Sequence, residues 1–142
     1  MEENTEVYID TNVFIYAAIS TRTKGEISKE ILSRLENDEL VGFTSTLTFD
    51  EIFWNIKKER GREDAIKAAK AFLHLPNLIM VDVTCDIITM SLKLLEKYAI
   101  DPRDAIHVAC ALSRGITTII SDDSDFDRVK EIKRKSLKQF KA

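Results

Sequence analysis

The stretch VYIDTNVFIYAAI, residues 7–19, sends an apolar strand straight into an aspartate and then into a helix. This handover recurs and sets the fold class. Short β-rich runs at 7–9, 41–44, 78–83 and 116–120 alternate with segments whose apolar residues follow helical spacing. Those helices cover 13–19, a run built on Ile27, Ile31, Leu32 and Leu35, then a segment capped by Thr48 and ending near Arg60. Gly61 breaks it, and further helices follow over 62–74, 86–99 and 101–114. Residues 21–25 read as a loop, Pro102 takes a first-turn position, Asp125 caps a short last helix, and a last strand lies near Ile132. Strands alternating with helices imply an α/β fold with a parallel sheet covered on both faces. Sites in such sheets form beyond the carboxyl ends of the strands, where Asp10 and the run Ser121-Asp122-Asp123 lie.

A length of 142 residues suits one compact domain, 1–142. No apolar run approaches the roughly 20 residues of a membrane span. The start, MEENTE, is acidic and polar, so a cytoplasmic protein with no membrane association is expected. Cys85 and Cys110 sit in apolar, helix-like surroundings, read as reduced core residues and form no zinc pattern. The net charge of −3 hides an asymmetry. Segment 128–142 holds Arg128, Lys130, Lys133, Arg134, Lys135, Lys138 and Lys141 against Glu131, a balance of +6 that leaves −9 on the rest. Such a basic end either holds phosphates or is a solvated tail.

An unpaired buried carboxylate is costly, so Asp10 needs a partner. Four acidic stretches fall at strand-to-helix handovers or helix starts: Asp10, Glu51 on the first turn of its helix, Asp104 on the first turn of another, and Asp122, Asp123 and Asp125 after "TTIIS". One acid at a helix start often just complements the helix dipole. Four converging at one sheet edge would do more. Two carboxylates about 4–5 Å apart repel by roughly 3–4 kcal/mol at an effective dielectric of 20. Either some stay protonated or a divalent cation sits among them. A set of oxygens without His or Cys favours Mg²⁺ or Mn²⁺ over zinc.

Taken together and in order, "VYIDTNVFIY", "TSTLTFDEI", "DPRDAIHVACA" and "TTIISDDSDF" resemble the PIN-domain family, and within it the VapC ribonuclease toxins of toxin–antitoxin pairs. The resemblance spans residues 7–126. It implies a three-layer α/β/α sandwich with a central parallel sheet and a Mg²⁺-dependent endoribonuclease site, Mn²⁺ being an alternative ion. By that resemblance Asp10, Glu51, Asp104 and Asp123 are the catalytic acids and hold one or two ions. Asp125 joins them on the metal, and Asp122 is the weaker choice for the fourth acid. Thr11, Asn12 and Ser121 match positions that orient the site. The resemblance further implies RNA cleavage by metal-activated water, a VapB-type antitoxin partner and a homodimer. Arg103, Lys57, Lys58 and Lys130 are candidates for guiding the RNA strand.

Other residues carry less. His107, one turn past Asp104, could face the site, though a packed or hydrogen-bonded histidine is the simpler reading. His74 decorates a helix end. Of Phe53 and Trp54, one belongs to the core and the other to the surface, where a dimer or antitoxin contact would use it. Asp50 and Asp64 face solvent or cap a helix. There is no Ser-His-Asp arrangement and, with four glycines, no glycine-rich phosphate loop. A phosphatase with an Asp-x-Asp pair is disfavoured because Asn12 holds the second position. Two readings stand beside the toxin: an RNA-processing nuclease outside a toxin–antitoxin pair, and a non-catalytic RNA- or protein-binding module.

Overall fold

A computed structural model of the chain describes residues 5–140. Residues 1–4 of the acidic start and Lys141 of the basic end lie outside the described residues. Five strands, β1 (Thr5–Ile9), β2 (Leu40–Ser45), β3 (Leu78–Val81), β4 (Thr118–Ile120) and β5 (Lys133–Lys135), form one parallel sheet in the order β3-β2-β1-β4-β5. The described helices are α1 (Thr11–Ile19), α2 (Thr23–Glu36), α3 (Thr46–Arg60), α4 (Arg62–Leu73), α5 (Cys85–Lys97) and α6 (Pro102–Ser113). A 3-10 turn, Ser124–Arg128, follows β4, and another, Leu137–Phe140, follows β5.

Successive strand side chains point to opposite faces. Val7 and Ile9 therefore pack with Val13, Phe14, Ile31, Ile52 and Phe72 of α1–α4. Tyr8 between them packs with Ile87, Leu94, Val108 and Phe126 on the side of α5 and α6. Four helices on one face and two on the other make the three-layer α/β/α sandwich that the sequence implied. Each fully buried aliphatic in these layers contributes about 1.5–3 kcal/mol. No helix among the described residues is long and apolar enough to cross a membrane.

Several local expectations are corrected. α3 starts at Thr46 with Ser45 as its N-cap residue, so Glu51 lies on the second turn. Thr48 is buried inside, its hydroxyl 2.7 Å from that of Thr44. The 3-10 turn after β4 is capped by Asp123 and not by Asp125; the Asp123 carboxylate accepts from the Asp125 amide. Cys85 is exposed, whereas Cys110 is buried; both are free. The Phe53–Trp54 pair divides as expected: Phe53 packs against the core and Trp54 is 59% exposed. The basic end is no loose tail through 133–135, which form β5 against β4.

The segment 21–25 is not all loop, because α2 already includes Gly25. A Cβ at Gly25 would stand 2.2 Å from the backbone oxygen of Ser20, at the end of α1. Glycine here permits close approach of two helices instead of marking a flexible turn. Gly25→Ala should therefore lower stability by about 1–3 kcal/mol through overpacking. Urea unfolding measures this as a reduced midpoint at unchanged slope; an unaltered midpoint would remove the packing explanation.

Candidate functional site

The chain runs from β1 outward through β2 to β3, then returns to β4 on the other side of β1. The β1/β4 boundary is thus the point where strand order reverses, the usual crevice for a site in an open parallel sheet. Asp10 follows β1 and donates its amide to Ile120 O at 3.0 Å, so its side chain starts at this crevice. Ser121 follows β4 beside it.

Asp10 is 7% exposed and nearly fully satisfied. Its Oδ1 accepts from the Thr11 amide at 2.8 Å. Its Oδ2 accepts from Ser121 Oγ at 2.6 Å and from Asn12 Nδ2 at 3.2 Å. Burial still holds its pKa above the usual carboxylate value, against the pull of His107, Ser121 and Thr11.

Glu51 reaches the same edge from α3. Its Oε1 accepts from Thr11 Oγ1 at 3.0 Å and from His107 Nε2 at 2.6 Å. Burial works to raise its pKa, but the hydrogen bond and charge of His107, with help from Thr11 and Arg103, leave it below the usual value. For His107, burial opposes charging, while Glu51, Asp10 and Asp104 outweigh it and raise the pKa. His107 is thus both packed and part of the acidic network. Its position one turn past Asp104, on the inward face of α6, was the available sequence signal.

A third group is more open. One carboxylate oxygen each from Asp104, Asp123 and Asp125 lies within 4.8 Å of the other two. Asp104 sits on the first turn of α6 as expected. Asp123 is fixed by its own backbone, its amide donating to Ser121 Oγ at 3.0 Å, and its Oδ1 accepts from the Asp125 amide at 2.9 Å. Asp122 turns away and accepts from Lys24 Nζ at 2.6 Å and from the Tyr16 hydroxyl at 3.3 Å. Among the described residues Asp10 and Glu51 fall outside this compact trio; both oxygens of Asp10, and Oε1 of Glu51, go to hydroxyl, amide and imidazole donors instead. Burial and the charges of Asp123 and Asp10 push the Asp104 carboxyl up to about 7.

Three mutually repelling carboxylates suit a hard divalent ion with oxygen ligands. Asn12 adds to the fit. Its Nδ2 faces Asp10 Oδ2 and Ser121 Oγ, both acceptors for it, which fixes the amide. Its Oδ1 is left buried with no hydrogen-bond partner among the described residues. The residues present therefore fit Mg²⁺ or Mn²⁺. Among the proposed RNA-guiding cations, Arg103, Lys57, Lys58 and Lys130 are all exposed, and Arg103 acts electrostatically on Glu51. Lys24, which carries no sequence signal, and Arg134 of the basic end lie beside the Asp122–Asp123 run; Lys24 Nζ donates to Asp122, and Arg134 donates to Ser121 O at 3.1 Å.

The family model for the PIN domain matches residues 7–132. The chain belongs to the PIN-domain family. Among PIN-related proteins, Ribonuclease VapC2 of Methanocaldococcus jannaschii is 25% identical, covering 91% of each chain. The crystal structure of Mycobacterium tuberculosis VapC20, a toxin that cleaves the sarcin–ricin loop, superposes with a TM-score of 0.71 at 19% identity, covering 87% of this chain and 95% of that one. VapBC2 from Rickettsia felis, bound to a DNA fragment from its promoter, gives 0.72 at 15% identity, with 93% and 98% covered. At such identities the structural likenesses establish the PIN fold.

The raised Asp104 pKa has a signed consequence for stability. A native carboxyl at about 7 keeps its proton, while the unfolded one, near 3.9, loses it. Stability then falls as pH rises from about 4 to 7. In EDTA, Asp104→Asn should be more stable than the parent at pH 8, by on the order of 1–2 kcal/mol once solvent screening of this half-buried group is counted. The difference should vanish below about pH 4, where both side chains are neutral. Chemical denaturation at the two pH values checks this, and equal stability at pH 8 would contradict the coupling to Asp123 and Asp10.

Proposed function

We propose that the chain is a Mg²⁺-dependent endoribonuclease and acts as the toxin of a type II toxin–antitoxin pair. The observation that carries this reading is the under-compensated trio Asp104, Asp123 and Asp125 beside Asp10 and Glu51, in a PIN-domain chain. Asp104, Asp123 and Asp125 hold the ion, and Asp10 and Glu51 complete the acidic set around it. When bound, the ion polarises a phosphodiester oxygen and lowers the pKa of water at the site. Thr11, Asn12 and Ser121 orient Asp10 and Glu51 through the bonds given above. Glu51 stays ionised and engages Thr11 and His107 through Oε1, which leaves Oε2 to accept a proton from the attacking water.

Partner binding has physical support as well. A groove of about 130 Å³ opens between α1, α2, α3 and α4, lined by Phe14, Ala18, Leu32, Ala68, Phe72 and Leu75. Small residues flanked by aromatic and leucine side chains suit the apolar face of a helix. That is the place for a VapB-type antitoxin in this reading. Exposed Phe49 and Trp54 on α3, with Ile88 and Leu92 on α5, support a homodimer. The protein would act in the cytoplasm, as a single domain over 1–142, with its basic 128–142 segment helping to hold RNA.

Purified protein should cleave RNA with Mg²⁺ or Mn²⁺ and lose that activity in EDTA. Asp10→Ala and Asp104→Asn should each cut the rate at least about a hundredfold, the several kcal/mol expected when metal-assisted charge stabilisation is lost. Full activity in either folded variant would refute the site. Tight RNA binding without cleavage or cation binding would favour the binding module. Cleavage without growth arrest on expression would favour RNA processing over toxicity. Sequencing RNA 5′ ends after brief expression would define the target.

A further inference from the structure

We propose that His107 is a positioning residue that, through Glu51, fixes the spacing of the acidic groups before any cation binds. The inference deepens the metal-site reading above and rests on it.

The geometry is that of a braced side chain. His107 is 1% exposed, on α6. Its Nε2 lies 2.6 Å from Glu51 Oε1 and 3.8 Å from Asp10 Oδ1. Glu51 Oε1 is an acceptor, so Nε2 carries a proton and donates it. The other ring nitrogen is held too: Nδ1 lies 2.6 Å from the hydroxyl of Tyr8, which is fully buried. That hydroxyl donates to the neutral ring or accepts from the imidazolium, and either bond sets the ring plane. The Tyr8 ring meets the imidazole nearly edge-on at 5.6 Å between centroids. The chain Tyr8–His107–Glu51 thus links β1, α6 and α3 across the carboxyl edge of the sheet.

Among the described residues Glu51 has no backbone brace comparable to that of Asp10 or Asp123. Thr11 and His107 are the donors that hold its carboxylate, and both bind Oε1. A carboxylate pinned by one oxygen keeps its other oxygen aimed in a fixed direction. Residues that hold a metal ligand or catalytic carboxylate in this way typically cost ten- to a hundredfold in metal affinity or activity when removed. His107 supplies that hold through Glu51, and it acts on Asp104 of the trio electrostatically.

Mn²⁺ titration calorimetry on the full chain tests this, with thermal melting to confirm folding. His107→Leu and Tyr8→Phe should weaken Mn²⁺ binding by about ten- to a hundredfold. His107→Gln should retain parent affinity within a few fold, because its amide can donate to Glu51 and accept from Tyr8. For RNA cleavage, kcat should fall in Tyr8→Phe while KM stays constant. Metal-free proton NMR in EDTA should already show a downfield His107 Nε2–H resonance, absent in His107→Gln and shifted in Tyr8→Phe. Parent-like Mn²⁺ affinity in folded Tyr8→Phe, or equal loss in His107→Gln and Tyr8→Phe, would overturn the positioning role. Absence of the resonance would do the same. If the parent binds Mn²⁺ but cleaves no RNA, the nuclease reading fails and the positioning role stands. If the parent binds no Mn²⁺, both fail together.

Discussion

Negative charge gathered at one edge of the sheet is the constraint to which the rest of the site is fitted. Parallel strands deliver all their carboxyl ends to that edge, and β1, β2 and β4 are each followed closely by acids. The structure answers the repulsion in three ways. Asp10 is surrounded by neutral donors from Thr11, Asn12 and Ser121. Glu51 is paired with an imidazole. Among the described residues Asp104 has neither, and burial with the charges of Asp123 and Asp10 raises its pKa to about 7. The trio that includes Asp104 is therefore where a cation gains most electrostatic energy, because among the described residues its ion pairing is limited to Arg128, whose Nη2 lies 3.4 Å from Asp125 Oδ1 at the exposed edge.

The same compensating groups tie the layers together. Thr11 begins α1 on one face, while His107 projects from α6 on the other, and both meet at Glu51. Tyr8 reaches His107 only because its side chain points opposite to Val7 and Ile9. A one-residue slip of β1 would turn Tyr8 to the wrong face and expose the apolar pair in its place. The register that builds the core is thus also the register that braces the site.

How much of this was legible in the sequence depends on how local each cause is. Strand and helix order follows from hydrophobic period, and the handover acids stood out because each sits where a strand ends or a helix starts. Helix starts are less legible. Thr48 resembles a cap, but Ser45 lies at the actual turn out of β2 and Thr48 serves the interior. Gly25 ends a stretch that reads as a loop, but its missing Cβ admits the end of α1. The division of labour among the acids was not legible at all. It rests on contacts such as His107 with Glu51, 56 positions away, and with Tyr8, 99 positions away. The choice between Asp122 and Asp123 turns on a single backbone step after Ser121. That step sends one carboxylate toward Lys24 and the next toward Asp104.

The state of the nearby cations bears on what such an edge can bind. A surface that holds RNA by itself presents unpaired basic groups to the phosphates. Here Lys24 is engaged by Asp122, and Arg134 is forked onto Asp127 at 2.9 and 3.1 Å. Both sit beside the acidic run, yet both are already spent on acids outside the trio. Arg128 pairs with Asp125 of the trio at 3.4 Å, but one guanidinium against the gathered acids leaves the mouth of the site net negative, and a polyanion approaching it meets repulsion unless a cation lies between. That requirement is natural for a nuclease in which phosphate and carboxylates share a divalent ion. It is a poor design for a docking module, which would gain affinity simply by freeing Lys24 or losing Asp104. The arrangement of charges around the site, and not only the acids within it, therefore favours metal-mediated chemistry over passive binding.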